Sequence, residues 1–156
     1  MSAAGVPAFA PADPDYAARV HESFGRQGVM GLLGARLGRI EPGACEISLG
    51  FRPELAQQHG FFHAGIVATV ADSAGGYAAF TLFPAGDGVL SVEFKINLMA
   101  PAHGERILAR GEVLRAGRSV TVARFDVFVE REGRRTHCAT GLQTLMRMVG
   151  RAGVTG

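Results

Sequence analysis

The sequence predicts an α+β fold, with a sheet of six strands and one long helix to cover it. Three observations lead to this prediction. A segment of twenty residues, 63–82, has helical character. Residues 91–98 alternate strictly between polar and apolar side chains, which is the period of a strand. The other strand-like runs are separated by turn residues, so the order of elements is a helix, two strands, the long helix and four strands.

The N-terminal region is expected to be a mobile arm followed by a helix. Residues 1–13 are small, rich in proline and without periodicity. Asp13 precedes Pro14, and this pair is typical of an N-cap followed by proline in the first helical position. We therefore expect a helix from Pro14 to about Gln27. At the other end of the chain, residues 149–156 are expected to form a flexible tail.

Five further strands are predicted from composition and from the turns between them. Two short strands cover about residues 35–40 and 44–51, and a turn at 41–43 joins them. Three longer strands follow the alternating stretch, each separated from the next by turn-forming residues. These strands cover residues 106–115, 119–130 and 134–148. No linker or repeat interrupts the pattern, so residues 14–148 are predicted to form a single domain.

Composition excludes two classes of function. The chain has 156 residues, of which 47% are hydrophobic and 19% charged, as in a packed globular domain. Its net charge is +2 and no basic run is longer than Arg134–Arg135, so the charge pattern does not indicate nucleic-acid binding. The most apolar stretch, residues 64–83, is interrupted by an aspartate, a serine and adjacent glycines, so a membrane span is not expected.

Targeting signals and cysteines point to the cytoplasm. The N-terminus lacks the basic start and apolar core of a secretory signal. Cys45 and Cys138 are too few for a disulfide framework and match no metal-ligand spacing. The sequence therefore predicts a cytoplasmic protein with two buried free thiols.

The central helix carries the unusual feature of the sequence. On a helical wheel, Asp72 lies on a strip of small side chains, and the bulky apolar residues lie on the far side. The strip consists of Gly65, Ala68, Thr69, Gly75, Gly76 and Ala79. Adjacent glycines in a helix cost about 1 kcal/mol each relative to alanine, which indicates close approach of another backbone or a ligand. A carboxylate there would be partly desolvated and reactive. The simpler alternative is a solvated surface aspartate.

The loop before the helix adds a second feature. Residues 57–65 have the sequence QQHGFFHAG, which leads a polar, glycine-containing loop into the helix N-terminus. Free backbone N–H groups there, at the positive end of the helix dipole, can hold a developing oxyanion. An oxyanion site, a carboxylate and a polar amide are together the groups needed to transfer an acyl group to water.

Three stretches occur in a fixed order along the chain. His63-Ala64-Gly65 is followed after six residues by Asp72-Ser73, residues 91–98 lead into Ala-Pro-Ala, and Arg115–Ser119 has the sequence RAGRS. In this order the stretches resemble the hotdog-fold acyl-CoA thioesterases of the phenylacetate-pathway (PaaI-like) type. The resemblance covers about residues 31–148.

The resemblance implies a particular architecture. It implies a six-stranded antiparallel sheet wrapped around one long central helix, dimers with a continuous sheet, and often homotetramers. Active sites lie at the dimer interface and use no cofactor. An unpaired sheet edge in so short a chain independently favours a homo-oligomer.

The resemblance also implies roles for individual residues. Asp72 matches the catalytic carboxylate, as nucleophile or general base. Ala64 stands where a glycine of the family motif donates its N–H to the thioester oxygen, and alanine keeps that N–H. Gln57 holds the place of an amide that orients water or the carbonyl, and His63 stabilises the loop. Ser91 matches a serine that comes from the other subunit and helps to position water.

A second group is implied to contact substrate or CoA, with Arg118 on a phosphate. The group consists of Gly65, Glu93, Arg115, Ala116, Gly117, Arg118, Ser119 and Val120. The simpler alternative for these residues is the polar face of a strand or the charge of an exposed hairpin. Apolar candidates for the acyl pocket are Phe61, Phe62, Tyr77 and Phe80. His59 and His63 have the spacing of a zinc pair but lack the Glu of an H-E-x-x-H helix, so no metal is expected.

The sequence thus predicts hydrolysis of an acyl-CoA thioester to free acid and CoA. N–H groups at the start of the helix hold the thioester carbonyl. Asp72 of the opposing protomer then either attacks the carbonyl directly or deprotonates water. Two alternatives stay open. One is a hotdog-fold acyl-thioester hydratase or dehydratase, although its Asp-x₄-His motif is absent. The other is a protein that binds acyl-CoA without turnover.

Overall fold

Three α-helices, one short 3₁₀ helix and six strands make up residues 8–155, the part of the chain that this computed structural model describes. The helices are α1 (Tyr16–Arg26), α2 (Gly28–Leu33) and α3 (Ala64–Phe80), and the 3₁₀ helix is Pro53–Leu55. The strands are β1 (Arg36–Glu41), β2 (Ala44–Gly50), β3 (Gly88–Leu98), β4 (Arg106–Ala116), β5 (Val120–Arg131) and β6 (Arg134–Met148). Within these residues, no helix is long and apolar enough to cross a bilayer.

The sheet wraps around α3, which confirms the predicted α+β class and its hotdog arrangement. All pairs are antiparallel, and the strand order is β1-β2-β4-β5-β6-β3. The helix packs against β2, β4, β5, β6 and β3. These five strands span about 19 Å if laid flat, roughly twice the diameter of a helix, so the sheet has to curve to keep them all in contact.

The curvature buries α3 on almost every side. From Val70 to Phe80, every residue is buried except Asp72, which is half-buried. The helical wheel placed Gly75, Gly76 and Ala79 on a strip together with Asp72, whereas all three are buried in the structure. The helical wheel does not predict the burial of these residues, because a curved sheet covers both sides of the helix.

Strand β4 comes closest to the helix at Gly111. A Cβ atom at this position would lie 2.3 Å from the backbone oxygen of Ala74 and 2.6 Å from the amide nitrogen of Gly75. A Cβ at Gly75 would in turn lie 2.0 Å from the side-chain oxygen of Gln143. Gly76 has no neighbour closer than 4.0 Å by the same measure. The predicted close approach is therefore at Gly75 rather than at both glycines.

Helix α1 begins two residues later than predicted. The carboxylate of Asp13 accepts a hydrogen bond from the Asp15 N–H over 3.0 Å and pairs with Arg19 over 2.6 Å. Asp13 therefore lies in a turn before the helix instead of capping it, and the first helical residue is Tyr16. Helix α2 was not predicted, because its six residues include two glycines.

Both terminal segments contact the domain where they are described. The ring of Phe9 lies against Gly43 in the β1–β2 turn, and the backbone of Val154 lies against Gly88. These contacts fall inside the regions 1–13 and 149–156 that the sequence predicts to be mobile. Residues 1–7 and 156 of those regions lie outside the described residues.

The contact at Gly111 yields a prediction about stability. Gly111→Ala should lower the free energy of unfolding by about 2 kcal/mol or more, because the new methyl group has to push β4 away from α3. Chemical denaturation followed by circular dichroism measures this change.

The matched control is Gly25→Ala in the exposed part of α1, where nothing lies within 4 Å of the added Cβ. This variant should be more stable than the native chain by up to about 1 kcal/mol, since alanine is the better helix former. Equal effects at both glycines would contradict the close packing of β4 on α3.

Candidate active site

Asp72 is held on α3 by two side chains from the sheet. Ser91 Oγ donates to Asp72 Oδ1 over 2.6 Å, and Gln143 Nε2 donates to the same oxygen over 2.5 Å. Gln143 Nε2 also donates to Ser91 Oγ over 3.0 Å and to the backbone oxygen of Asp72 over 3.2 Å. Among residues 8–155, the other carboxylate oxygen, Oδ2, has no hydrogen-bond partner.

A β-bulge turns Ser91 toward this carboxylate. Ser91 pairs with Leu145 and Glu93 pairs with Thr144, so Val92 is an extra residue in β3. Alternation alone would put Ser91 and Glu93 on the same face of the sheet, and the bulge puts them on opposite faces. Ser91 therefore reaches Asp72 of its own chain. The resemblance gives this serine as coming from the other subunit, whereas its contact with Asp72 is made within one chain.

A cavity of about 370 Å³ lies beside Asp72, between α1, α3 and the start of β3. Its walls include several hydroxyl and amide groups. Tyr77 Oη and Ser23 Oγ are 3.2 Å apart, and Ser73 Oγ donates to Gln27 Oε1 over 3.4 Å. Burial raises the pKa of Tyr77, and the Ser23 and Gln27 side chains offset part of this rise. The tyrosine therefore stays a neutral hydroxyl at physiological pH.

The start of α3 offers a free backbone donor. His63 is the N-cap, and its Nδ1 accepts the Gly65 N–H over 2.9 Å. This bond occupies the N–H of Gly65, a residue that the resemblance implies to contact substrate or CoA. The N–H of Ala64 has no acceptor among residues 8–155, and Ala64 lines a second cavity of about 380 Å³.

Gln57 lines the same second cavity. Its Oε1 accepts the His59 N–H, and its backbone groups bond to Gly60 and Phe61 across the turn. Because Oε1 is occupied, Nε2 is the group of the Gln57 side chain that remains as a donor, on a residue that lines the same cavity as Ala64. Phe61 and Phe62 also line this cavity.

The two groups of polar residues lie too far apart to act on one carbonyl within a single chain. Ala64 and Asp72 are eight residues apart on α3, which is about 12 Å along the helix axis. We call the Asp72, Ser91 and Gln143 cluster the carboxylate half-site, and the Gln57 and Ala64 pair the amide half-site.

The remaining predicted contact residues lie outside both half-sites. Glu93 is on the outer face of the sheet, where its carboxylate accepts a hydrogen bond from Thr144 Oγ1 over 2.6 Å. The β4–β5 hairpin, residues 115–120, is exposed and lines neither cavity. Of the proposed apolar pocket residues, Tyr77 lines the first cavity, whereas Phe80 is fully buried core.

Neither cysteine is placed to act as a nucleophile. Burial raises the pKa of the Cys45 thiol to about 12 and that of the Cys138 thiol to about 11. Both thiols are therefore protonated near neutral pH, where only the thiolate is reactive. Residues 8–155 contain no group of three or more His, Cys, Asp or Glu side chains that could hold a metal ion.

Gln143 was missed by the sequence analysis. It occupies an inward position of β6, between Gly141 and Leu145, where alternation calls for an apolar or small side chain. A lone glutamine at such a position is a signal, because buried polar groups need partners. The sequence alone does not reveal that the partner is Asp72, 71 residues earlier in the chain.

Comparison with known proteins gives one family. The family model of the thioesterase superfamily matches residues 59–136. A Saccharolobus solfataricus protein named as a candidate esterase is 30% identical over 115 residues, covering 74% of this chain and 81% of the relative.

Solved structures give the same result. A thioesterase family protein from Silicibacter pomeroyi is 49% identical and has a TM-score of 0.85, covering 86% of this chain and 99% of that chain. The PaaI protein of E. coli, from the phenylacetic acid degradation operon, is 16% identical with a TM-score of 0.78, covering 90% of this chain and 96% of that chain. At that identity, PaaI shows the shared fold alone.

The cap at His63 yields a prediction that separates capping from other roles of this side chain. His63→Ala should lower the free energy of unfolding by about 1 kcal/mol, because the Gly65 N–H loses its acceptor. His63→Asn should keep native stability, since asparagine is a good N-cap but carries no titratable group. Thermal unfolding measures the stability of both variants.

The control is His21→Ala on the exposed face of α1, which should change stability by less than about 0.5 kcal/mol. If His63→Asn destabilises the protein as much as His63→Ala, the side chain has a role other than capping.

Proposed function

The chain belongs to the thioesterase superfamily and is a hydrolase, and we propose that it hydrolyses acyl-CoA thioesters to free acid and CoA. The observation that carries this proposal is the carboxylate of Asp72, which is fixed through Oδ1 and leaves Oδ2 free beside a cavity. A carboxylate with one free oxygen is suited to attack a carbonyl carbon or to take a proton from water.

We propose that two chains form the active site by pairing their β3 strands. This strand is at the sheet edge and exposes Leu90, Val92, Phe94 and Leu98. Antiparallel pairing about Phe94 would set Leu90 of one chain opposite Leu98 of the other. Leu90 lines the cavity of the carboxylate half-site and Leu98 lines that of the amide half-site. Pairing would therefore bring opposite half-sites of the two chains together.

In this arrangement the reaction follows from the positions of the groups. The Ala64 N–H and the Gln57 amide of one chain hold the thioester oxygen while Asp72 of the other chain acts on the carbonyl carbon. As a nucleophile, Asp72 forms an anhydride that water then hydrolyses. As a base, it takes a proton from the water that attacks. In either case the tetrahedral intermediate expels CoA thiolate, a good leaving group that requires no strong general acid.

We assign the rest of the substrate to the surfaces around Asp72. The cavity beside it, about 370 Å³, fits a short or single-ring acyl group. The 115–120 hairpin lies at the same end of the sheet, because Val120 pairs with Met146 and Met146 pairs with Leu90. The hairpin is thus about 10 Å from β3, and its Arg118 can contact the nucleotide part of CoA. Assembly beyond the dimer and a cytoplasmic location stay predictions.

The first test is release of CoA from a panel of acyl-CoAs, followed with a thiol reagent. Asp72→Asn should lower kcat by about a thousandfold or more, because the amide is neither base nor nucleophile. Asp15→Asn is the matched control, since the Asp15 side chain makes no capping bond, and should retain native activity. Water addition to an enoyl-CoA without thiol release would instead support a hydratase, and tight binding without turnover a binding protein.

A second variant tests the amide half-site. Ala64→Pro removes the backbone N–H while keeping the helix, because proline is favoured at the first helical position and His63 already has the extended conformation that precedes proline. We expect native stability and a kcat lowered by about a hundredfold or more.

Mixing the two inactive variants tests the shared site. In a dimer of Asp72→Asn with Ala64→Pro, one of the two sites keeps both native half-sites if each site draws on both chains. Refolding an equimolar mixture should therefore restore about a quarter of native activity. No recovery, with mixed dimers present by mass spectrometry, would mean that each site lies within one chain.

A further inference from the structure

Gln143 is a fully buried side chain whose hydrogen bonds all go to the carboxylate half-site. It is 0% exposed. Its Nε2 group carries two hydrogens, and both are directed at Asp72 or Ser91. Its Oε1 is buried without a hydrogen-bond partner among residues 8–155. A buried carbonyl oxygen without a donor costs free energy, so another interaction has to keep the amide in this orientation.

The carboxylate fixes that orientation. If the amide were rotated by a half-turn, Oε1 would face two oxygen acceptors of Asp72, the carboxylate Oδ1 and the backbone oxygen. Acceptors repel one another, whereas the observed orientation gives Asp72 charge-assisted hydrogen bonds. The unpaired Oε1 is therefore a consequence of directing Nε2 at Asp72.

Gly75 makes room for the amide. A Cβ atom at this position would lie 2.0 Å from Gln143 Oε1 and 3.2 Å from its Cδ. Glycine inside a helix is unfavourable relative to alanine. At Gly75, the unfavourable residue lies directly against the Gln143 side chain, so the helix is locally adapted to it.

We propose that Gln143 is a positioning residue that determines which oxygen of Asp72 reacts. The Gln143 amide and the Ser91 hydroxyl together occupy both lone-pair positions of Oδ1. The carboxylate then has one fixed rotamer, with Oδ2 as its reactive oxygen. This inference rests on the proposed hydrolysis for its kinetic consequences, but the contact itself can be tested without turnover.

The kinetic test is Gln143→Met, which keeps the length of the side chain and removes both donors and the unpaired oxygen. Because the donor and the unpaired acceptor leave together, the variant should fold. We expect kcat for thioester hydrolysis to fall about ten- to a hundredfold, with KM changed less than about threefold, since Gln143 does not touch the substrate.

A double-variant cycle distinguishes positioning from a general structural role. In the Asp72→Asn background, Gln143→Met should have no further effect on kcat, because Gln143 acts through Asp72. Thr140→Val is the matched control: it lies on the same strand and removes a 2.7 Å hydrogen bond to a different aspartate, Asp126. It should leave kcat unchanged. A native kcat in Gln143→Met, or an equal loss in both backgrounds, would overturn the proposal.

A spectroscopic measurement tests the contact without any substrate. The side-chain amide protons of Gln143, assigned by their loss in Gln143→Met, should exchange slowly with solvent in the native protein. In Asp72→Ala they should shift and exchange faster, and in Thr140→Val they should not. An unmoved signal in Asp72→Ala would overturn the proposal.

The two measurements also separate this inference from the proposed function. If the native protein does not hydrolyse acyl-CoA but its Gln143 signal responds to Asp72→Ala, the proposed hydrolysis is overturned and the positioning contact is supported. If the native protein hydrolyses acyl-CoA and kcat is unchanged in Gln143→Met, the proposed hydrolysis is supported and the positioning role is overturned.

Discussion

The enclosure of α3 by the curved sheet is the constraint on which the rest of the structure depends. Five strands contact one helix, and β4 is so close that Gly111 touches the backbone at Ala74. Side chains on the helix therefore have to be small or apolar on nearly every side. A polar group in this enclosure is stable only if a partner lies inside it as well.

Asp72 meets this requirement through partners that are distant in sequence. Ser91 and Gln143 come from β3 and β6, the last two strands of the sheet, and Gln143 is seated where Gly75 leaves space. The fold of a single chain thus holds the carboxylate without a contribution from a second chain. The packing that buries α3 and the hydrogen bonds that orient Asp72 belong to one arrangement, so a change that moves β6 would also move the carboxylate.

The sequence predicts long periodic elements better than local irregularities. The bounds of β6 agree with the predicted strand, and α3 differs by one residue at its start and two at its end, because each pattern extends over many residues.

The bulge at Val92 was not predictable, since one extra residue reverses the face of Ser91 without changing the alternation around it. Gln143 was not predictable as a partner of Asp72, because strand pairing, and not local pattern, brings them together. The motif around His63 predicted the start of α3, but the cap that occupies the Gly65 N–H appears only in three dimensions.

The length of α3 also explains why assembly and catalysis would be coupled. One carbonyl carbon and its oxygen span little more than an ångström, whereas about 12 Å of helix separates the Ala64 amide from Asp72. No rearrangement of side chains closes that distance while the helix stays intact. The exposed edge of β3 offers the second chain, and two of its apolar residues, Leu90 and Leu98, are also walls of the two cavities. The same side chains would then bury the interface and shape the site, so the site would be complete only where the sheet continues from one chain into the next.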